Sequence, residues 1–276
     1  MKIGIDINFK TICGVLVYKR VVLATVTESI YCYKRDSKRE IMDKLILLID
    51  HLITDKVNGI GISLSTKIDS THGVVYDLDK IPHWKNTKLK AIIEEKFHIP
   101  TLINSDVNCF ILGEKYHGLC QNCNNILAVH VDMSIGTSAI VNNRLFTDNQ
   151  PLFTNATCLS KAKCKCAKSY HKSYIRTVEE LLLFNALFSR DLENMNREVC
   201  ENMGDMIGRL IAILLADYDP DMIVLGGRLS TAFDYCHDPV YNYLELYKQP
   251  YIKRSREIIP SILENARAIG AAYLYA

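Results

Sequence analysis

Over the first thirty residues apolar side chains alternate with polar or small ones, and then the period lengthens. Lys2 to Ile7, Ile12 to Tyr18 and Val21 to Ser29 read as three strands, broken at Asn8-Phe9-Lys10 and at Lys19-Arg20. Ile41, Leu45, Leu48, Ile49 and Leu52 recur at helical spacing, which predicts a helix begun by a Ser37/Glu40 capping box and ending near Thr54. Asn58 to Leu64 returns as a buried strand, followed by short strands at Val74 to Leu78 and Thr101 to Asn104. Helices are predicted over Thr87 to Phe97 and Val107 to His117, with Gly118 as the C-cap of the second.

The second half opens the same way. Asn125 to Asp132, Gly136 to Asn142 and Arg144 to Phe146 are again three consecutive strands joined by tight turns, so the chain repeats a topology. A Lys- and Cys-rich stretch, Thr154 to Tyr174, then interrupts it and is too polar for a core. Helical pattern resumes at a Thr177/Glu180 capping box, breaks near Arg190-Asp191 and continues to about Asp217. Met222 to Leu225 reads as a buried strand ending at Gly226-Gly227, and Ser261 to Tyr275 as a final helix. Two related α/β halves closed by a terminal helix predict a ligand cleft between two domains.

Composition narrows the function classes. The chain has 276 residues, 49% hydrophobic and 23% charged, as an ordinary globular protein does. Lys+Arg 33 against Asp+Glu 31 leaves +2, so no global field points to nucleic acid or an anionic membrane. The most apolar helical stretch, Ile207 to Ala216, carries Arg209 and falls short of the roughly 20 residues that span a bilayer. Met1 to Asp6 enters a strand with no apolar signal core, so a cytoplasmic location and reduced thiols are expected for the ten cysteines. The basic stretches Tyr33 to Arg39 and Lys253 to Arg256 read as solvated faces, His51 and His130 as core histidines, and Cys120 and Cys123 as incidental thiols.

Three signals fall at strand ends, where open α/β sheets place ligands. Ile3-Gly4-Ile5-Asp6 delivers an acid into a turn; Ile103-Asn104-Ser105-Asp106-Val107-Asn108 puts Asp106 where strand becomes helix; Ile223-Val224-Leu225-Gly226-Gly227 ends in glycines that permit close ligand approach. Each also has a purely structural reading: a turn cap at Asp6, a helix N-cap at Asp106 and a plain turn at Gly226-Gly227.

Taken in order with the Gly136 to Asn142 hairpin and the closing Ile269-Gly270-Ala271-Ala272-Tyr273-Leu274, these motifs make the whole chain resemble the ROK family of sugar kinases and sugar-responsive repressors. Ile60-Gly61-Ile62-Ser63, Gly73-Val74-Val75 and Ile81-Pro82-His83-Trp84 extend the likeness. The resemblance implies an α/β fold of two ribonuclease-H-like domains of the actin/hexokinase type, residues 1–118 and 119–259. The terminal helix, 260–276, would pack back on the first, and sugar and ATP would lie in the cleft. It implies that Asp106 is the general base taking the proton of a sugar hydroxyl as that oxygen attacks the ATP γ-phosphate, with Asn104 helping to orient the sugar. It places Asp6 on the Mg²⁺ side and assigns Asn8, Lys10, Ser134, Gly136, Gly226 and Gly227 to the nucleotide. Family members are commonly homodimers.

The chain departs from the family at defined places. The first turn, typically Asp-Ile-Gly-Gly-Thr, is Asp6-Ile7-Asn8-Phe9-Lys10, and the second, typically Gly-Thr-Gly-Ile-Gly, is Asp132-Met133-Ser134-Ile135-Gly136. Ser65-Thr66 stands where the family has Pro-Gly, and the sugar-contacting Glu-x-Gly-His has no counterpart near Phe153 to Cys158. The family's structural zinc site resembles Cys164-Lys165-Cys166, with His171 and Cys158 as the remaining ligands; an exposed loop with incidental cysteines is the other reading. Three functions stay open: an ATP-dependent hexose kinase, an eroded sugar-sensing binding module, or a regulator working with a separate DNA-binding partner. Direct nucleic-acid binding is not expected, because the chain starts on the strand that a helix-turn-helix domain precedes in family repressors.

Overall fold

The computed structural model describes residues 1–30, 38–66, 68–76, 84–131, 135–146, 197–246 and 257–276. Among them the helices are α1 (Lys38–Leu52), α2 (Leu89–Phe97), α3 (Asp106–Tyr116), α4 (Arg197–Asp217), α5 (Arg228–Leu246) and α6 (Ala266–Ala272). The chain divides into unit 1, Met1–Gln121 with Leu263–Ala276, and unit 2, Asn122–Ile262.

Unit 1 is built on β1 (Lys2–Ile7), β2 (Thr11–Tyr18), β3 (Val21–Ser29), β4 (Ile60–Leu64) and β7 (Thr101–Ser105), in the order β3-β2-β1-β4-β7. The first three strands are antiparallel, whereas β4 and β7 run parallel to β1. A small hairpin, β5 (Ile68–Asp69) with β6 (Val74–Val75), precedes α2. Because side chains alternate across a strand, both sheet faces can be read from the residues. Ile3, Ile5, Ile7, Ile60, Ile62 and Leu64 enter one core with Ile41, Leu45, Leu48, Ile49 and Leu52 of α1. Fully burying each such side chain is worth roughly 1.5 to 3 kcal/mol.

The opposite face is nearly stripped of side chains at its centre. Gly4 and Gly61 are register partners, and there α6 lies almost on the sheet backbone: a Cβ at Gly61 would come within 1.8 Å of the Ala271 carbonyl, and one at Gly4 within 2.0 Å of the Ala268 carbonyl. Gly270 makes the same close approach to the Cys109 carbonyl of α3, at 1.7 Å. Cys13, Val15 and Val17 of β2 pack against Ala268, Ile269 and Ala272 to complete this second core.

Unit 2 repeats the topology with β8 (Ile126–Val131), β9 (Ile135–Val141), β10 (Arg144–Leu145), β11 (Met222–Gly227) and β12 (Glu257–Pro260), in the order β10-β9-β8-β11-β12. Its core joins Leu127, Val129, Ile223 and Leu225 to Met203, Ile207, Leu210, Ile211 and Leu214 of α4 and to Leu229, Phe233 and Val240 of α5. Gly204 and Gly208 form a shallow groove on α4: a Cβ there would strike Pro239 at 2.3 Å and Tyr243 at 2.7 Å.

The hydropathy pattern does not announce α5 or β12. Polar residues and the internal Pro239 mask the helical period of α5, although Leu229, Ala232, Phe233, Cys236 and Val240 are buried along it. The terminal helix is shorter than its apolar spacing predicts, Ala266–Ala272, because Asn265 enters it with a left-handed backbone, φ 55°. The Ser37 half of the predicted capping box lies outside the described residues.

Candidate functional site in unit 1

The parallel strands carry a polar row across the face that α6 covers. Ile3-Gly4-Ile5-Asp6 and Ile60-Gly61-Ile62-Ser63 pair in register, so Asp6 stands beside Ser63, and Ser63 in turn beside Asn104 of β7. The Ser63 hydroxyl donates to Asp6 Oδ1 at 2.6 Å, and Asp6 is only 4% exposed. Asn104 Oδ1 accepts from the Ser105 backbone N–H at 2.8 Å and from Asn108 Nδ2 at 2.9 Å.

Just beyond the row, Ser105 N-caps α3 and Asp106 occupies its first turn. A carboxylate there is favoured by the helix dipole. Asp106 Oδ1 accepts from the Val107 N–H at 2.9 Å, and Oδ2 accepts from the Ser65 hydroxyl at 2.7 Å. The two acids share one cation. Arg267, in the first turn of α6, sets Nη2 3.2 Å from Asp6 Oδ2 and Nη1 3.9 Å from Asp106 Oδ2. Asp6, Asn104 and Asp106 are therefore brought together with Ser63 and Ser65, which the sequence offered only as parts of motifs, and with Arg267, which it did not single out. The signals existed: a serine inside an otherwise apolar strand, and one arginine in a helix of Ala, Ile and Gly.

Two thiols border the cluster. Burial, and secondarily the charge of Asp6, pushes the Cys109 thiol well above its usual range. Burial likewise raises that of Cys13, whose Sγ donates to Asn265 Oδ1 at 3.3 Å. Both are structural thiols and not nucleophiles.

The β1–β2 turn shows how Asn8 replaces glycine. Its Oδ1 accepts from the backbone N–H groups of Lys10 at 2.8 Å and Thr11 at 3.0 Å, and its Nδ2 donates to Thr11 Oγ1 at 2.9 Å. Two backbone amides of the turn, groups of a kind that can bind anions, are thus engaged by the turn's own side chain. Lys10 is exposed, with its ammonium 5.4 Å from the Phe9 ring centroid. Direct coordination of magnesium does not fit the donors at Asp6. Asp6 Oδ1 is committed to Ser63, Oδ2 faces Arg267 and the Asn8 amide at 3.4 Å, and a dication would be repelled by the guanidinium.

In unit 2, Gly136 and Gly226 are the register partners that flank the buried His130. Gly227 has φ +67°, and a Cβ there would lie 2.3 Å from the Val131 carbonyl. Ser134 and the predicted zinc ligands Cys158, Cys164, Cys166 and His171 lie outside the described residues. Among the described residues no group of three His, Cys, Asp or Glu is arranged to hold a metal, and no helix is long and apolar enough to cross a membrane.

A family model described as the ROK family matches residues 3–156 and 172–276. The chain is 26% identical to a xylose repressor of Bacillus subtilis over 97% of its own length and 75% of the repressor's. It is 23% identical to a glucokinase of Thermotoga maritima, over 98% of this chain and 95% of that one. Among solved structures, a ROK glucokinase from Streptomyces griseus in complex with glucose and AMPPNP superposes with TM-score 0.70 at 17% identity, covering 99% of this chain and 98% of the other. A putative sugar kinase from Cytophaga hutchinsonii gives 0.74 at 21%, covering 100% and 99%. The fold is that of the actin/hexokinase-like sugar kinases.

Proposed function

The chain belongs to the ROK family, and from that premise we propose that it recognises a sugar at Asn104 and Asp106 and acts as a sugar-responsive binding protein that does not phosphorylate its ligand. The observation that carries the sugar contact is the Ser65 hydroxyl donating to Asp106 Oδ2 at 2.7 Å. Asp106 Oδ2 thus already accepts from an aliphatic hydroxyl, and its second lone pair can take a sugar hydroxyl of the same kind. A bond from a neutral donor to a charged acceptor is worth about 1.5 to 3 kcal/mol, which makes Asp106 the anchor of the ligand. Binding without transfer is supported by the Asn8 side chain engaging the Lys10 and Thr11 amides. The likeness to a xylose repressor over 97% of the chain supports a pentose as ligand, and that to a glucokinase over 98% of it supports a hexose.

A second reading is the ATP-dependent hexose kinase, with Asp106 as general base. The same Ser65 contact favours it, because a hydroxyl pointing its proton at a carboxylate is the geometry that precedes attack on a phosphoryl group. Calorimetric titration of pentoses, hexoses and N-acetylhexosamines, alongside an assay of ADP release from Mg-ATP, separates the two. We expect binding of at least one sugar, weakened about 10- to 100-fold in Asp106→Ala, and no ADP release. Sugar-dependent ADP release that disappears in Asp106→Asn overturns the non-transferring reading and establishes the kinase. Binding of no sugar overturns both. Structural zinc on Cys158, Cys164, Cys166 and His171, and a homodimer, are proposed with either reading on the strength of the resemblance; metal analysis and light scattering of the purified protein test them.

A further inference from the structure

Two carboxylates that share one guanidinium raise the question of what neutralises the site. Asp6 is 4% exposed, and burying a carboxylate is costly unless it is paired and hydrogen-bonded. A divalent metal between the acids would meet that need, and so would a fixed side chain. Here the side chain is present: Arg267 spans the pair with its two terminal nitrogens, 3.2 Å from Asp6 Oδ2 and 3.9 Å from Asp106 Oδ2, and its side chain is only 21% exposed. The planar guanidinium fork suits two separate carboxylates better than the single ammonium of lysine.

The position of Arg267 is imposed by packing. The backbone of α6 is pressed against β1 and β4 at Gly4 and Gly61 and against α3 at Gly113 and Gly270, contacts that leave no room for α6 to slide. The N-cap residue Asn265 is tied to β2 through the Cys13 thiol. Arg267 follows two positions later and so emerges over the ends of β1 and β7. On the other side of Asp6, Ser63 and Asn8 donate to its oxygens.

We propose that Arg267 is the resident cation of this site: it takes the place of a divalent metal between Asp6 and Asp106, and unit 1 recognises a neutral polyhydroxylated ligand without metal. The proposal shares the sugar reading's carboxylate and rests on it only for the class of ligand. Exclusion of metal is read separately.

The test uses Mn²⁺ alone as a paramagnetic probe on the full chain, with free ion counted by EPR. The wild type and Asp6→Asn should bind the same number of Mn²⁺ ions, because Asp6 holds none. Arg267→Gln, which removes the charge and leaves a shorter polar side chain, should gain about one Mn²⁺ equivalent, and the double variant with Asp6→Asn should lose it again. Should Arg267→Gln not fold, as judged by thermal melting, the comparison of wild type with Asp6→Asn decides alone. More Mn²⁺ bound by wild type than by Asp6→Asn overturns the proposal, as does a folded Arg267→Gln that gains none. No sugar and no turnover enter these measurements, so failure of the sugar reading leaves this outcome legible, and the reverse also holds.

Discussion

The two sheets share strand order and direction yet use their parallel strands in opposite ways. In unit 1 the centre of one face is backbone: Gly4 and Gly61 let α6 approach so closely that the row beyond them, Asp6, Ser63 and Asn104, meets Arg267. In unit 2 the corresponding strands, β8 and β11, are filled by Leu127, Val129, Ile223 and Leu225 against two long helices, and glycine appears only beside His130 and at the strand end. One topology therefore supports a charged, side-chain site in one copy and an apolar core ending in bare backbone in the other. The lesson is that polar chemistry was placed by removing side chains from a helix contact and not by adding loops.

That contrast predicts opposite sensitivities. Adding carbon should be worst in unit 1: Gly61→Val must push against the Ala271 backbone and is expected to detach α6, at a cost of about 3 kcal/mol or more, or to prevent folding. At the corresponding strand of unit 2 the costly change is removal of carbon: Leu225→Ala leaves a void in a fully buried position and should cost about 2 to 5 kcal/mol. Urea midpoints of both variants check this, and a Gly61→Val protein as stable as wild type would break the comparison.

A smaller effect concerns thiols. Burial, aided by the nearby Cys200, pushes the Cys236 thiol up to about 12, and Cys109 in unit 1 is raised well above its usual value. Site-resolved iodoacetamide labelling of native protein at pH 8 should spare Cys236 and Cys109 while modifying the half-buried Cys123 and Cys200. Fast labelling of Cys109 would show that α6 opens from α3.

The smallest effect is a pH dependence confined to unit 1. Burial, then the charge of Arg20, lowers the pKa of His117, whose ring contacts the Tyr273 hydroxyl at 2.8 Å. The folded form resists a proton that the unfolded chain accepts near 6.5, so stability is full above that pH, falls as the pH drops towards the folded value and levels off below it. His117→Gln should flatten this part of the melting-temperature profile, measured between pH 7 and pH 5, and an unchanged slope would assign it elsewhere.

Much of the molecule was legible without coordinates. The alternation in Lys2 to Ile7 and Asn58 to Leu64, the Gly226-Gly227 punctuation and the repeat of three strands are local signals, each set by side-chain period or turn chemistry, whereas the C-cap expected at Gly118 is taken by His117. What hid α5 was Pro239 among polar residues, since its apolar stripe is short and is matched to glycines on α4 that no local pattern reveals. The Asn8 turn was visible as a loss of glycine, but that its carboxamide caps two amides followed only from the coordinates.

By itself, the sequence determined the α/β repeat, the family, and the placement of Asp6 and Asp106 at strand ends, because those depend on residues close together in the chain. Only the tertiary structure decided what those acids meet. Ser63 reaches Asp6 through strand register, and Arg267 reaches both acids from the far end of the chain, through a helix held by glycines in three other elements. The physical reason is that neutralising a buried charge is a contact between distant segments, and no period, cap or turn encodes which distant segment will supply it.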